Sequence, residues 1–175
     1  VLTGACRNPW HLSHSTGGSS GGAAAAVAAG IVPAAHASDG GGSIRIPAAN
    51  CGLFGLKPSR GLTTIEGTLA ECWSGLSVGH VVSQTVRDSA AFLDLISLRG
   101  TGLFANPLLS VESKSGFDGF LATLRQPAPA GLRVALITTH PTGEEIDSEV
   151  LAGVRAAGKL LEDLGHSVEE RAHPA

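Results

Sequence analysis

The sequence predicts an α/β fold, in which short buried strands alternate with helices. Short apolar runs bounded by glycine or proline, such as Leu132–Ile137, are typical of buried strands. Longer segments with apolar residues three or four positions apart, such as Val86–Ser97, are typical of amphipathic helices. Because the two kinds of segment alternate along the chain, we expect a mixed β-sheet core covered by helices on both faces.

In the first third of the chain, glycine, proline and capping residues mark the element boundaries. Ser20 is a candidate helix N-cap, and Gly30 ends the helix that follows it. Pro47 fits the first turn of a second, short helix. The elements expected here are a loop over Arg7–Thr16, a helix over Gly21–Ala29, a strand over Ile31–Ala37, a loop over Asp39–Ser43 and a strand over Leu53–Lys57.

The remainder of the chain contains two amphipathic helices with recognisable N-caps. Thr85 is expected to cap a helix that has Val86, Ala90, Leu93 and Ser97 on one face. Asp147 is expected to cap a helix whose inward residues are Val150, Val154, Leu161 and Leu164. The other segments expected are irregular chain over Thr64–Gly79, a loop over Gly100–Gly116, a short helix over Phe117–Leu124, a linker over Pro127–Gly131, and strands over Leu132–Ile137 and His166–Glu170.

Two glycine-flanked serines are the features that point to chemistry. Ser19 lies in the run GGSSGG at 17–22, and Ser43 lies in the run DGGGSIRIP at 39–47. Few side chains surround either hydroxyl, so a substrate carbonyl could approach it while backbone N–H groups hold the developing oxyanion. This arrangement suits a serine nucleophile.

The region from Gly17 to Lys57 resembles the signature region of the amidase signature family of serine hydrolases. The residues that carry the resemblance read GGSSGGAAAAVAAGIVP, followed by SDGGGSIRIPAANCGLFGLKPSRG. The resemblance implies the amidase signature fold, with Ser43 as nucleophile and Ser19 as the second serine. It also implies a cis peptide bond between Gly18 and Ser19 and a catalytic lysine upstream of both serines.

The resemblance further implies roles for the residues around the two serines. The N–H groups of Gly40, Gly41, Gly42 and Ser43 would form the oxyanion hole. Asp39 and Arg45 would brace their loop, and Ser20 would support Ser19, with Gly18 preceding it. The alternative for Asp39 and Arg45 is a loop salt bridge with no part in catalysis.

No lysine of this chain fills the third catalytic role. Lys57, Lys114 and Lys159 are the only lysines, and Lys57 matches a Lys-Pro that follows the family signature. Because the chain has no methionine and family members are longer, we expect an internal fragment whose lysine lies upstream. We expect one amidase signature domain, with a catalytic region at 1–62, a helical and loop segment at 63–131 and a strand-helix-strand at 132–175.

Several functions stay open at this point. The segment from Leu62 to Val82 departs from the glutamine amidohydrolase subunits of transfer-RNA amidotransferases. It looks closer to bacterial amidases, including 6-aminohexanoate cyclic-dimer hydrolase-like enzymes. A non-catalytic relative that keeps the fold is a further alternative. The pattern Gly17-x-Ser19-x-Gly21 also fits a nucleophile elbow, but that needs a preceding strand, and His11–Thr16 looks too polar for one.

Composition narrows the partners that we expect. A net charge of −3 gives no reason to expect nucleic acid, and the longest apolar stretch is too short and weakly apolar to span a membrane. Three scattered cysteines favour a reducing, cytoplasmic compartment. His11 and His14 are interpreted as solvated loop residues, and Trp73 as either packing or pocket lining. We therefore expect a small-molecule amide substrate and no cofactor or metal, and leave a homodimer open.

Overall fold

The computed structural model describes residues 4–63, 73, 75–97 and 117–173. The chain divides into two compact units, Val1–Gln126 and Pro127–Ala175. The expected loop over Gly100–Gly116 and most of the segment Thr64–Gly79 lie outside the described residues.

The first unit is built on a three-stranded antiparallel sheet. Its strands stand in the order β3-β5-β4, with Ala37 of β3 opposite His80 of β5. The described elements are β1 (Arg7–Asn8), β2 (His11–Ser15), α1 (Gly21–Ala28), β3 (Ala34–Asp39), α2 (Arg45–Asn50), β4 (Phe54–Gly55), β5 (Val78–Ser83), α3 (Val86–Ile96) and α4 (Phe120–Thr123).

Small apolar side chains form the core between this sheet and the first two helices. Alanine adds little volume, so an alanine-rich helix such as α1 can lie close to a strand. Ile44 at the start of α2 is fully buried, which is worth about 1.5–3 kcal/mol for a side chain of this size. The buried cluster comprises Ala24, Val27, Ala37, Ile44, Ala48, Cys51 and Val82.

The central strand β5 was not expected from the sequence, and all six of its residues are buried. Its polar side chains interrupt the apolar run that would have indicated a strand. They are buried with partners: His80 Nε2 lies 2.7 Å from Ser89 Oγ, and Ser83 Oγ donates to Thr85 O over 2.9 Å. Burial lowers the pKa of His80 to about 4, so the imidazole is neutral near pH 7.

The expected loop over Arg7–Thr16 is instead a hairpin of β1 and β2, so that prediction is wrong. All five residues of β2 are exposed, and a strand without a buried face lacks the alternating pattern by which strands are recognised. Side chains fasten the hairpin to the end of α2. Asn8 Nδ2 donates to Asn50 O over 2.6 Å, and Trp10 Nε1 donates to Cys51 O over 2.7 Å.

Strand β3 begins three residues later than expected. Pro33 has no N–H to donate to a ladder, and Ile31 before it is 74% exposed. The strand also ends later than expected, and Asp39 is its last residue. This shift places a carboxylate at the point where the chain leaves the sheet.

The predicted N-cap of helix α3 is confirmed, but only part of its predicted apolar face is buried. Thr85 Oγ1 accepts a hydrogen bond from Asp88 N over 3.0 Å. On the predicted face, Ala90 and Leu93 are buried, whereas Val86 is about half exposed. Helix α4 is shorter than the predicted Phe117–Leu124.

The second unit is a strand-helix-strand in which β6 (Arg133–Leu136) and β7 (Ser167–Glu170) pair in parallel. Helix α5 (Ser148–Asp163) connects them, and Asp147 caps it by accepting from Glu149 N over 2.8 Å. The prediction that Val150 and Leu164 are buried is wrong, since both are more than half exposed.

The antiparallel sheet of the first unit and the parallel pair of the second confirm the α/β class. Within the described ranges, no helix has the length and apolar character that a membrane span needs.

Candidate active site

The Ser43 loop, Gly40–Ser43, is organised around one buried carboxylate. Asp39 ends β3 and is fully buried, and its two oxygens accept hydrogen bonds from the loop backbone. Gly42 N donates to Oδ1 over 2.8 Å, and Ile44 N and Arg45 N donate to Oδ2 over 3.2 and 3.3 Å. A single side chain therefore holds both the loop and the first residues of α2.

Arg45 completes this arrangement with a bidentate ion pair. Its Nε donates to Asp39 Oδ2 and its Nη2 to Asp39 Oδ1, each over 2.9 Å. The guanidinium holds the pKa of Asp39 well below its usual range despite the opposing effect of burial, and the carboxylate raises the pKa of Arg45. The pairing implied by the resemblance is thus present. A part in catalysis remains a prediction.

The candidate oxyanion donors are not equivalent. Gly42 N–H is occupied by Asp39, so the expectation of four free donors needs correction at this residue. Across the described residues, the N–H groups of Gly40, Gly41 and Ser43 have no hydrogen-bond acceptor. Gly42 instead has a conformational role, since its φ is +125° and a Cβ there would lie 2.6 Å from Ile46 Cδ1.

The Ser19 loop, Gly17–Ser20, is shaped mainly by its backbone. Gly17 has a φ of +72°, and its N–H donates to Ser15 Oγ over 3.0 Å. The peptide bond between Gly18 and Ser19 is cis, which confirms what the resemblance implied. Ser19 itself is exposed, so its hydroxyl is open to solvent or substrate.

Ser20 joins the two serine loops. Its backbone N donates to Ser43 O over 3.3 Å. Its Oγ accepts from Ser38 N over 3.3 Å and so reaches strand β3. Ser20 stands at the N-cap position of α1, as expected, but its side chain makes no capping hydrogen bond because it is engaged on β3 instead. The structure therefore brings the two loops together through this residue.

Comparison with known proteins shows the family of this chain. The family model described as Amidase matches residues 1–175. The chain belongs to the amidase family. AmiB2 of Mycobacterium tuberculosis, an amidase by name, is 44% identical over 170 residues, which cover 96% of this chain and 33% of that protein. The 6-aminohexanoate-cyclic-dimer hydrolase of Paenarthrobacter ureafaciens is 40% identical over 171 residues, with 95% and 33% coverage.

A solved structure supports the same family assignment. The 6-aminohexanoate cyclic dimer hydrolase complexed with substrate matches with a TM-score of 0.84 and 37% identity, over 94% of this chain and 33% of that chain. The chain thus spans about a third of the length of the curated relatives that it matches. The neighbours confirm the amidase signature fold that the sequence predicted.

The described lysines of this amidase-family chain have partners other than the two serines. Lys57 Nζ donates to Pro58 O over 3.0 Å. Lys159 lies in the second unit, where it pairs with Asp163 and Glu162 over 2.6 and 3.8 Å. Lys114 lies outside the described residues. An upstream lysine therefore remains a prediction.

Two apolar side chains beside the loops are informative. A Cβ at Gly40 would lie 2.9 Å from Cε3 of Trp73, so this largely exposed ring packs directly on the Ser43 loop. Ile46 approaches both Gly42 and Gly17, where a Cβ would lie 2.6 and 2.8 Å from its side-chain atoms. The sequence assigned Ile46 no role, although glycines in both loops indicated that something approaches them closely.

In the part of the chain that the structure describes, no group of three or more His, Cys, Asp or Glu side chains could hold a metal ion. Cys6 and Cys51 are free thiols, and burial raises the pKa of Cys51.

Proposed function

We propose that the whole protein hydrolyses a carboxylic amide, with Ser43 as the nucleophile. The observation that carries this proposal is the fixation of the Ser43 loop by Asp39. The buried carboxylate accepts hydrogen bonds from Gly42 N–H and the first N–H groups of α2, while the N–H groups of Gly40, Gly41 and Ser43 have no acceptor among the described residues. A loop held in this way presents a hydroxyl and several donors on one short stretch of backbone.

The reaction begins when Ser43 Oγ attacks the amide carbon. The carbonyl oxygen takes up the negative charge and accepts hydrogen bonds from the N–H groups of Gly40, Gly41 and Ser43. One such donor is worth about 2.7–4 kcal/mol of transition-state stabilisation. The C–N bond then breaks, the amine leaves with a proton, and an ester on Ser43 remains until water hydrolyses it.

Ser19 would carry the proton in this scheme. The hydroxyl of Ser43 must lose its proton as it attacks, and the departing nitrogen must gain one. Ser19 would pass the first proton to the upstream lysine, which has to be neutral to accept it, and return one to the amine. The contact of Ser20 N with Ser43 O supports this role because it ties the Ser19 loop to the nucleophile.

The likeness to named hydrolases supports amides as the substrate class. The relatives at 40–44% identity carry the names amidase and 6-aminohexanoate-cyclic-dimer hydrolase. We propose simple aliphatic amides and linear or cyclic aminohexanoate amides as the substrates to test first.

A second candidate is the glutamine amidohydrolase subunit of a transfer-RNA amidotransferase. A subunit of the Glutamyl-tRNA(Gln) amidotransferase from Thermotoga maritima, known from its crystal structure, is 38% identical with a TM-score of 0.79, over 96% of this chain and 35% of that chain. The departure of segment 62–82 from such subunits favours the amidase. Hydrolysis of glutamine in preference to an aliphatic amide by the full-length protein would favour the amidotransferase instead.

Labelling with a fluorophosphonate probe tests the nucleophile. The full-length protein should be labelled on Ser43, as located by peptide mapping. Ser43→Ala should abolish the label and the activity, and Ser19→Ala should slow both by at least a hundredfold. The matched control is Ser59→Ala, an exposed serine outside both loops, which should behave as wild type. A label that maps to Ser19 or Ser20 would overturn the assignment. Absence of labelling and of turnover with every amide would favour the non-catalytic relative.

A further inference from the structure

The exposed strand β2 brings two histidine nitrogens unusually close together. His11 Nδ1 and His14 Nδ1 lie 2.8 Å apart, and the two rings stand perpendicular with their centroids 4.3 Å apart. Ser13 Oγ lies 2.8 Å from His11 Nδ1 and 3.2 Å from His14 Nδ1. These three atoms form a triangle, which we call the β2 triangle. All three residues are exposed.

Hydrogen bonds alone cannot account for all three contacts of the β2 triangle. An imidazole Nδ1 carries either one hydrogen or one lone pair, and the Ser13 hydroxyl supplies one hydrogen. With one ring protonated at Nδ1, two hydrogens are available for three short contacts. With both rings protonated there, two N–H groups oppose each other. In every protonation state, at least one of the three contacts has no hydrogen atom between its two heavy atoms that could make it a hydrogen bond.

A single cation would satisfy all three atoms, because each can offer a lone pair. Donors about 2.1 Å from a metal stand about 3.0 Å apart when their bonds are at right angles, and about 3.4 Å apart in a tetrahedron. The sides of the β2 triangle, 2.8, 2.8 and 3.2 Å, fit one face of an octahedron. Imidazole nitrogen suits nickel, copper, zinc and iron, whereas magnesium prefers oxygen ligands.

We propose that His11, His14 and Ser13 form one face of a surface site for a divalent first-row transition cation with octahedral preference, such as Ni²⁺. Water completes the coordination. On binding, a neutral imidazole that carries its proton at Nδ1 transfers it to Nε2, and an imidazolium loses its Nδ1 proton to water. The two nitrogens supply most of the affinity, and the hydroxyl is the weakest donor.

Side chains next to the β2 triangle hold the hairpin in place. Asn8 and Trp10, one on β1 and one in the turn before β2, are both hydrogen-bonded to backbone carbonyl groups at the end of α2. These contacts hold the hairpin without using either histidine, so the donors are not consumed by the fold. None of the three residues has a role in the proposed hydrolysis, and the proposal does not depend on the proposed function.

Calorimetric titration of the full-length, tag-free protein with Ni²⁺ tests the site. We expect one saturable Ni²⁺ site whose affinity falls at least about tenfold in His11→Ala and in His14→Ala. Ser13→Ala should weaken it only about two- to fivefold. The matched control is His36→Ala, an exposed histidine on β3, which should stay within about twofold of wild type. Mg²⁺ should produce no binding heat.

Equal Ni²⁺ affinity in wild type and both histidine variants would overturn the proposal, as would the absence of saturable Ni²⁺ binding. Activity or fluorophosphonate labelling measured without metal should be unchanged in all these variants, which shows that they are folded. Paramagnetic broadening gives a second measurement. Substoichiometric Ni²⁺ should broaden the imidazole resonances of His11 and His14 before that of His36, and the reverse order would contradict the site.

Discussion

The two serine loops of the candidate active site are held by different kinds of contact. The Ser43 loop depends on a buried charge, since Asp39 accepts hydrogen bonds from three backbone N–H groups and from Nε and Nη2 of Arg45. The Ser19 loop contains no charged side chain and is held by backbone geometry and by Ser20. Charge-assisted hydrogen bonds are roughly twice as strong as neutral ones. The loop proposed to carry the nucleophile is therefore the more strongly fixed.

This difference has a chemical rationale. A nucleophile and its oxyanion donors must stay aligned while charge develops on the substrate, because misplacement of the reacting atoms by about 1 Å can cost a hundredfold in rate. A proton relay needs only to reach both of its partners. The comparison predicts that damage to the Asp39 contacts costs more than damage to the Ser20 contacts.

Asp39→Ala is expected to have the largest effect. It leaves the N–H groups of Gly42 and Ile44 without their acceptor and Arg45 without its partner. The Arg45 side chain is 52% exposed and can be hydrated after the substitution, so its lost ion pair contributes little. Leaving the two buried N–H groups without an acceptor costs about 1–3 kcal/mol each, and amide hydrolysis should fall at least a hundredfold. Denaturant unfolding of the full-length protein measures the first quantity. The control, Asp163→Ala, removes an exposed ion pair and should cost less than about 1 kcal/mol.

Gly42→Ala should come next, with a cost of about 1–3 kcal/mol that comes mainly from its positive φ, because the Ile46 atom that a Cβ would meet is the end of a half-exposed side chain. Gly41→Ala is the matched comparison, because its φ is not positive and a Cβ there would meet nothing within 4 Å. It should leave the unfolding free energy within about 0.5 kcal/mol of wild type. Equal destabilisation by the two substitutions would show that the loop does not depend on the positive φ of Gly42.

The charge of Asp39 can be separated from its shape with Asp39→Asn. Because the folded pKa of Asp39 lies below its unfolded value of about 3.8, the stabilisation from its charge is complete above that value and is lost as the pH falls below it. We expect Asn to cost about 2 kcal/mol at pH 7. The difference from wild type should stay constant down to about pH 5 and shrink on further acidification. A difference that does not change between pH 7 and pH 2 would contradict this account.

Ser20→Ala should have the smallest effect. It removes the acceptor of Ser38 N but keeps the backbone bond from residue 20 to Ser43 O. The cost should be about 1 kcal/mol, typical of one neutral hydrogen bond. Unfolding and fluorophosphonate labelling are the measurements, with Ser59→Ala as control. A loss as large as that of Asp39→Ala would reverse the comparison between the loops.

Much of the candidate site could be read from the sequence because its determinants are local. Glycines at 17 and 42 fit backbone conformations that other residues avoid, and the structure shows positive φ at both. Thr85 and Asp147 were predicted as N-caps, and each accepts a hydrogen bond from a backbone N–H within three residues. The pairing of Asp39 with Arg45 likewise spans only a few residues.

The elements that the sequence did not predict depend on contacts between distant segments of the chain. Strand β5 is hidden in the sequence because His80 and Ser83 interrupt its apolar run, and only the packing of α3 supplies His80 with Ser89 as a partner. The hairpin of β1 and β2 depends on carbonyl groups at the end of α2, more than forty positions along the chain. Its exposed residues carry no pattern of burial.

By itself, then, the sequence determined the family signature, the α/β class and the two serine loops, since each rests on residues near one another in the chain. Only the tertiary structure decided that Asp39 occupies Gly42 N–H and that Ser20 ties one loop to the other. It alone placed His11 Nδ1 against His14 Nδ1. The physical reason is that a hydrogen-bonding group has many acceptable partners, and only folding selects which one comes within about 3 Å.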